Sequence, residues 1–291
     1  MIAGVLTALI TPFDADARLD MTALDRVVDF QIEQGVDALV PVGSTGESPT
    51  VSHEENMEII ERVIRRSAGR IPVIAGTGSN STDEAVRMTK LAKTLGAYAS
   101  LQVTPYYNKP TQEGLYRHFT TIADSVDLPM VIYNIAGRTS VNIETPTLMR
   151  IAKHPNAIAV KEASGDLSQM MDVISSKPKD FTVLAGDDAI ALPLTILGGS
   201  GVISVASNIV PRYMCQMIGA ARKGNLEEAR TMHYELLPLF KGLFLETNPI
   251  PVKACMAQMG LIKPVWRLPL CPPSDITSKE LKKILKGQGL L

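Results

Sequence analysis

The chain has 291 residues, 45% of them hydrophobic and 20% charged, with a formal net charge of −1. That fits one large globular domain, or a barrel of roughly 250 residues carrying an appendage. The near-neutral charge leaves no electrostatic footprint for nucleic acid or an anionic membrane surface as a general partner.

Cys215, Cys255 and Cys271 are odd in number and lack metal-ligand spacing, so reduced core thiols are expected. The stretch Met1-Ile2-Ala3-Gly4-Val5-Leu6 runs straight into a strand pattern without a basic leader or a small-residue cleavage site. No apolar run approaches the roughly 20 residues that span a bilayer. The expectation is a cytoplasmic protein.

Short apolar runs alternate along the chain with segments of helical period. Val5–Ile10 is the first run, followed by a helix over Met21–Gln34 with Leu24, Val27, Val28 and Ile32 on one face and Asp20 as its N-cap. Ala38–Val42 leads into Gly43-Ser44-Thr45-Gly46-Glu47-Ser48, and a helix begins at Ser52, where Ser52-x-x-Glu55 has capping-box form. Pro72–Ala75 precedes a helix over residues 81–95, Ala97–Val103 one over 112–125, and Pro129–Tyr133 one over 146–153. Ala157–Lys161, Thr182–Leu184 and Gly201–Val205 are the last three strands, with helices near 167–175, 188–197 and 211–223.

Eight short strands, each followed by a helix, read as an α/β (β/α)8 TIM barrel over residues 1–224. A doubly wound open sheet is the structural competitor. Past Gly224 the strand pattern stops, and residues 225–291 read as a C-terminal helical appendage, with helices over 226–245, 251–259 and 278–285.

In a barrel of parallel strands every loop that follows a strand opens on one face, where reaction sites are built. The run Ala157-Ile158-Ala159-Val160 ends on Lys161-Glu162 and the turn Ser164-Gly165-Asp166. An ordinary lysine is almost wholly protonated at neutral pH; apolar walls disfavour the ammonium and enlarge the nucleophilic fraction. Lys161 is therefore a candidate Schiff-base lysine, against the alternative of a strand-end lysine reaching solvent.

Ser44 and Thr45 lie between two glycines just ahead of a helix, where backbone N–H groups can hold a carboxylate or phosphate. A plain glycine turn is the alternative. Tyr133 ends the fifth strand and Arg138 follows on its loop, a proton-relay hydroxyl and a carboxylate-binding guanidinium, or else a packed ring and a solvated charge. Asp187-Asp188 has no third acid or histidine at ligand spacing, so no metal site is read. A lysine amine, tyrosine hydroxyls, an anion nest and an arginine together suit imine chemistry on a 2-oxo acid. Such chemistry requires no cofactor, because the iminium is itself the electron sink. A phosphate-ligand binder using the glycine loops and a metal-dependent class II aldolase are the readings from other classes.

Gly43-Ser44-Thr45-Gly46-Glu47, Tyr133-Asn134-Ile135 and Lys161-Glu162 with Gly165-Asp166 resemble the pyruvate-dependent class I aldolase family that includes N-acetylneuraminate lyase, over essentially the whole chain. Tyr106-Tyr107-Asn108-Lys109-Pro110, Gly137-Arg138-Thr139, the stretch Glu246–Lys253 and Leu268-Pro269-Leu270 are most similar to its lysine-biosynthetic synthase branch. The resemblance implies a lyase that condenses pyruvate with L-aspartate 4-semialdehyde to 4-hydroxy-tetrahydrodipicolinate, in the diaminopimelate route to lysine. The same imine chemistry on N-acetylneuraminate or a 2-keto-3-deoxy sugar acid is the alternative.

By that resemblance Lys161 forms the imine, and Tyr133, Thr45 and a neighbouring subunit's copy of Tyr107 relay protons, with Ser44 beside them. Arg138 holds the semialdehyde carboxylate, and Ile203 with the Ser44 and Thr45 amides lines the pyruvate pocket. Ser48, Pro49, His53, Asn56, Asn80, Glu84 and Tyr106 match an effector site for lysine, and the assembly implied is a homotetramer built as a dimer of dimers. Three positions depart from the synthase pattern: Ser44 where threonine is usual, Asn56 where histidine is frequent in lysine-sensitive members, and Ala136 where proline is frequent.

Overall fold

The computed structural model describes residues 2–291; Met1, part of the N-terminal stretch considered above, lies outside them. Eight parallel strands form one sheet: β1 (Gly4–Ala8), β2 (Ala38–Val40), β3 (Ile74–Gly76), β4 (Ala99–Val103), β5 (Met130–Asn134), β6 (Ala157–Glu162), β7 (Thr182–Ala185) and β8 (Gly201–Ser204). Each pairs with its sequence neighbours, and β8 returns to β1 in the register Leu6↔Ile203. The ring closes between β2 and β3 through the parallel bridge Leu39↔Val73, with the Leu39 N–H donating to Pro72 O and the Gly76 N–H to Pro41 O, both at 3.1 Å. Those bonds exclude the open, doubly wound sheet.

Because successive side chains alternate across a strand, each strand feeds two layers. Leu6, Ala8, Val40, Ile74, Leu101, Val131, Tyr133, Ala159, Leu184 and Ile203 fill the barrel interior. Val5, Leu39, Ile132, Val160, Val183 and Val202 face outward into a second layer beneath the helices. These strands are buried on both faces, which is why they read as continuous apolar runs in the sequence.

The helices between the strands are α1 (Met21–Glu33), α2 (His53–Ser67), α3 (Thr82–Thr94), α4 (Gln112–Ser125), α5 (Ala136–Thr139), α6 (Thr145–Ile151), α7 (Leu167–Ser176), α8 (Asp188–Ile196) and α9 (Pro211–Arg222). Asp20 caps α1 by accepting from the Ala23 N–H at 2.9 Å, and Ser52 with Glu55 completes the capping box of α2. Helix α5 is a single turn in a segment the periodicity leaves as loop, since four residues cannot display a helical repeat. Past α9 come α10 (Leu226–Gly242), α11 (Ile250–Gln258) and α12 (Asp275–Gly287). Helix α12 begins three residues before the apolar period suggests, because Ser274 caps it by accepting from the Thr277 N–H. Helix α10 packs on α8 and α9 and α12 on α10 and α11, so the outer layer runs on through Leu236, Leu239, Val252, Met256, Leu281 and Leu285.

Candidate active site

The loop after β2 does not lead directly into a helix. Val42 and Glu47 take left-handed backbone conformations (φ 57° and 56°), and a 3-10 turn at Ser48–Thr50 intervenes before α2. The N–H groups of Gly46, Glu47 and Ser48 are used inside the loop, on the carbonyls of Gly43, Ser44 and Gly43. The N–H groups of Val42, Gly43, Ser44 and Thr45 have no partner among the described residues, so the Ser44 and Thr45 donors of the expected nest stay free. Glycine is required twice in seating this loop: a Cβ on Gly46 would lie 2.9 Å from Val42 N, and one on Gly76 only 2.2 Å from Val42 O.

Around this loop the strand ends enclose a cavity of about 500 Å³, lined among others by Ser44, Tyr133, Arg138 and Asn248. Tyr133 and Lys161 are register partners across β5 and β6, and both point into the barrel. The Lys161 Nζ lies 4.2 Å from the centroid of the Tyr133 ring, and the residue is only 5% exposed. It makes no ion pair and no hydrogen bond among the described residues, so the strand-end lysine reaching solvent is excluded. Gly186, after β7, makes room for it: a Cβ there would sit 3.2 Å from Lys161 Cε and 2.6 Å from Ala163 Cβ.

Outside the same barrel wall, the next register pair, Asn134 and Glu162, is fully buried and locked in a polar network. Glu162 accepts from Asn134 Nδ2 at 3.1 Å and from the Ser164 N–H at 2.7 Å, while Asn134 Nδ2 also donates to Asn142 Oδ1 at 2.8 Å. Burial pushes the Glu162 carboxyl above its usual range. The network fixes the two strand ends that carry Tyr133 and Lys161.

Thr45 is buried, and its Oγ1 accepts from Asn248 Nδ2 at 3.0 Å. The Tyr133 hydroxyl has no hydrogen-bond partner among the described residues, so Tyr133 and Thr45 share the site without being bonded to each other. Arg138, exposed at the cavity, donates from Nη2 to the Asn248 carbonyl at 2.8 Å; it is therefore an anchored cation rather than a free loop charge. Ile203 is sealed in the interior layer beside Leu6 and Leu184. Tyr107 is 91% exposed on left-handed backbone (φ 71°) and is not among the residues that line the cavity.

Six of the seven expected effector residues, Ser48, Pro49, His53, Asn56, Glu84 and Tyr106, line the far end of the same cavity. Asn80 supports them, donating from Nδ2 to the Tyr106 carbonyl at 3.1 Å. His53 Nε2 lies 2.6 Å from Glu84 Oε1, and Ser79 Oγ donates to the other Glu84 oxygen. Burial and the Glu84 charge push the Tyr106 hydroxyl up.

Asp187 and Asp188 serve the fold. Asp187 caps α8, and buried Asp188 accepts from the Val205 and Ala206 N–H groups at 3.0 and 2.8 Å, its carboxyl pushed up to about 6 by burial. Among the described residues no group of three or more His, Cys, Asp or Glu side chains is placed to hold a metal, all three cysteines are free thiols, and no helix is long and apolar enough to cross a membrane.

The model of the Dihydrodipicolinate synthetase family matches residues 1–288. The chain is 51% identical to a 4-hydroxy-tetrahydrodipicolinate synthase of Pseudomonas putida (strain W619), over the full length of both. A dihydrodipicolinate synthase from Acinetobacter baumannii, solved in complex with pyruvate, superposes with a TM-score of 0.98 at 43% identity and complete coverage of both chains. One from Cyanidioschyzon merolae with lysine bound gives a TM-score of 0.96 at 42% identity, covering 99% of each. The chain belongs to the Dihydrodipicolinate synthetase family.

Two site contributors of this family member escape a reading of its sequence. Gly186 is silent until the Lys161 side chain is seen beside it. Asn248 lies within the stretch Glu246–Lys253 that carries the resemblance, but its contact is not legible there, because it stands 203 residues from the Thr45 hydroxyl it binds.

Proposed function

We propose that the chain is a lyase that condenses pyruvate with L-aspartate 4-semialdehyde, giving 4-hydroxy-tetrahydrodipicolinate through a lysine Schiff base. The observation that carries the assignment of roles is Lys161: buried, free of any carboxylate, and facing inward at the C-terminal end of β6 beneath Tyr133. Its amine adds to C2 of pyruvate and water leaves, giving an iminium. Loss of a C3 proton yields the enamine, whose C3 attacks the aldehyde carbon to form the new carbon–carbon bond. The α-amino group of the semialdehyde then adds to the iminium carbon, and expulsion of the Lys161 amine closes the ring. No metal or cofactor is called for in any of these steps.

The hydroxyls of Tyr133 and Thr45 carry the protons, with Ser44 keeping a hydroxyl at its position. The Ser44 and Thr45 N–H groups receive the pyruvate carboxylate above the interior layer that Ile203 completes. Arg138 receives the carboxylate of the semialdehyde. Tyr107, turned fully outward, is supplied to a neighbouring subunit's site, which requires at least a dimer and fits a dimer-of-dimers tetramer. Lysine binds as a feedback inhibitor at the His53, Asn56, Glu84 and Tyr106 end of the cavity, the Glu84 carboxylate facing its ammonium. In this reading residues 1–224 form the catalytic barrel, residues 225–291 a helical region that lends it Asn248, and the protein works in the cytoplasm.

A coupled assay tests the reading: pyruvate with aspartate semialdehyde, beside cleavage of N-acetylneuraminate and of 2-keto-3-deoxy-gluconate, using wild type and Arg138→Ala. Condensation is expected with wild type, and kcat/KM for the semialdehyde should fall roughly 10- to 100-fold in the variant, the value of a lost charge-assisted bond. Sugar-acid cleavage without condensation, or full activity of Arg138→Ala, would overturn it.

A further inference from the structure

We propose that Gly186 is a positioning residue for imine formation, its missing side chain leaving the seat in which the Lys161 stem lies. The proposal rests on the reading of Lys161 given above and adds to it the residue that aims the amine.

With no ion pair and no hydrogen bond among the described residues, the Lys161 Nζ is placed by the packing of its stem alone. That stem is four carbons long and flexible, so something must confine it. The strands on either side of β6 do so. On the β5 side lies the Tyr133 ring, its centroid 4.2 Å from Nζ. On the β7 side Leu184 is the register partner of Lys161, and Gly186 follows two residues later toward the same face. A Cβ at 186 would lie 3.2 Å from both Cγ and Cε of Lys161, closer than carbons ordinarily pack.

Backbone conformation does not call for glycine here: Gly186 is not left-handed, so alanine could adopt its backbone. Space alone excludes it. A Cβ would also stand 2.6 Å from Ala163 Cβ. The Ala163 N–H donates to the Asn134 carbonyl at 2.9 Å and the Gly186 N–H to the Glu162 carbonyl at 2.8 Å, so both backbones are tied to a neighbouring strand. The collision with Ala163 therefore falls on folding, whereas the collision with Lys161 is relieved by moving the stem, and the amine moves with it. Misplacing a reacting atom by about 1 Å costs on the order of 100-fold in rate.

The two collisions are separable by experiment. Wild type, Ala163→Gly, Gly186→Ala and the double variant are mixed with pyruvate, quenched with borohydride at timed intervals and scored by mass spectrometry, beside urea unfolding of each. Gly186→Ala should lose both urea midpoint and trapping rate. In the double variant the Ala163 collision is gone, so its midpoint should return to that of Ala163→Gly. Its maximal trapping rate should stay roughly 10- to 100-fold below that of Ala163→Gly, with the half-saturating pyruvate concentration within threefold, because the amine is misaimed while the carboxylate seat is intact.

A double variant that traps pyruvate as fast as Ala163→Gly overturns the proposal. So does one whose half-saturating pyruvate rises along with the fall in rate, which is general damage to the site. A double variant without a cooperative urea transition overturns it as well, since the added carbon would then be colliding with the fixed framework rather than with the lysine stem. The double variant also decides the matter should Gly186→Ala fail to fold. If wild type traps no pyruvate at Lys161, the functional reading falls and this proposal falls with it; if wild type traps it and the double variant matches Ala163→Gly, this proposal alone falls.

Discussion

Two lysines are buried at the C-terminal side of this barrel, and their surroundings could hardly differ more. Lys161 sits at the mouth against an aromatic face, with no ion pair to a carboxylate among the described residues. Lys253, on α11 where the C-terminal helices meet the loop after β2, is 0% exposed and ion-paired to the equally buried Glu47. It lies 4.2 Å from the centroid of the Phe13 ring, and the Arg267 backbone N–H approaches the second Glu47 oxygen at 3.4 Å. The Arg267 guanidinium, held by both Glu55 oxygens at 2.7 Å, packs over the same Phe13. Burial alone therefore does not make a lysine a nucleophile. What sets Lys161 apart, and supports its proposed role, is burial with no counter-ion among the described residues, against the ring of Tyr133, which lines the cavity. The pair at Lys253 is a clamp, fixing the loop whose Ser44 and Thr45 amides are proposed to receive the pyruvate carboxylate.

Exchanging the roles is the strongest challenge to this contrast. Lys161→Ala should lower turnover by a factor on the order of 10⁴ or more while leaving unfolding free energy nearly unchanged, because a nucleophile has no substitute. Lys253→Met should act the other way, costing about 3–5 kcal/mol of stability by stranding the Glu47 carboxylate, yet still forming a pyruvate imine. Urea unfolding with a borohydride-trapping assay on both proteins checks the pair of outcomes. A Lys253→Met protein that keeps full stability but loses imine formation would reverse the assignment.

A gentler break removes both partners. In Glu47→Leu with Lys253→Met no buried charge is left alone, so most of the stability lost in the single variant should return, whereas kcat should stay low because the substrate-facing loop has lost its clamp. Stability no better than the single variant would show that the pair's packing, not its charge, matters.

The smallest effect is in pH. Burial pushes the Lys253 amine down to about 8 from 10.5, the Arg267 charge adding to the shift and Glu47 opposing it. Between those values the unfolded chain holds a proton that the folded chain has released, so this group's contribution to unfolding free energy rises with pH across the window. The stability difference between wild type and Lys253→Met should therefore widen by about 1–2 kcal/mol between about pH 8 and about pH 10. A difference that stays flat or narrows would contradict the shift.

Much of this was legible in the sequence, for a physical reason. Strands buried on both faces must be continuously apolar, so the break at Lys161 in β6 stands out, and the loops that follow strands carry the chemistry by topology alone. The caps at Asp20 and Ser52–Glu55 are local and were equally readable. What could not be read is held by contacts between distant segments. Asn248 meets Thr45 and Arg138, Lys253 meets Glu47, and Gly186 yields space to Lys161 only once the ring has closed. The glycine loop was legible as a candidate anion site but its hydrogen bonding was not, because its own turn consumes three of its N–H groups. Asp187-Asp188, suggestive as a pair of acids, separates into a helix cap and a buried acceptor for two backbone amides.

The contrast between the two lysines is tested most directly by incubating the protein with pyruvate, reducing with borohydride and mapping the modified peptide by mass spectrometry. The result expected is a pyruvate-dependent adduct on the peptide containing Lys161, none on that containing Lys253, and loss of the adduct in Lys161→Ala. An adduct on Lys253, or none on either lysine, would contradict the assignment of Lys161 as the imine-forming residue.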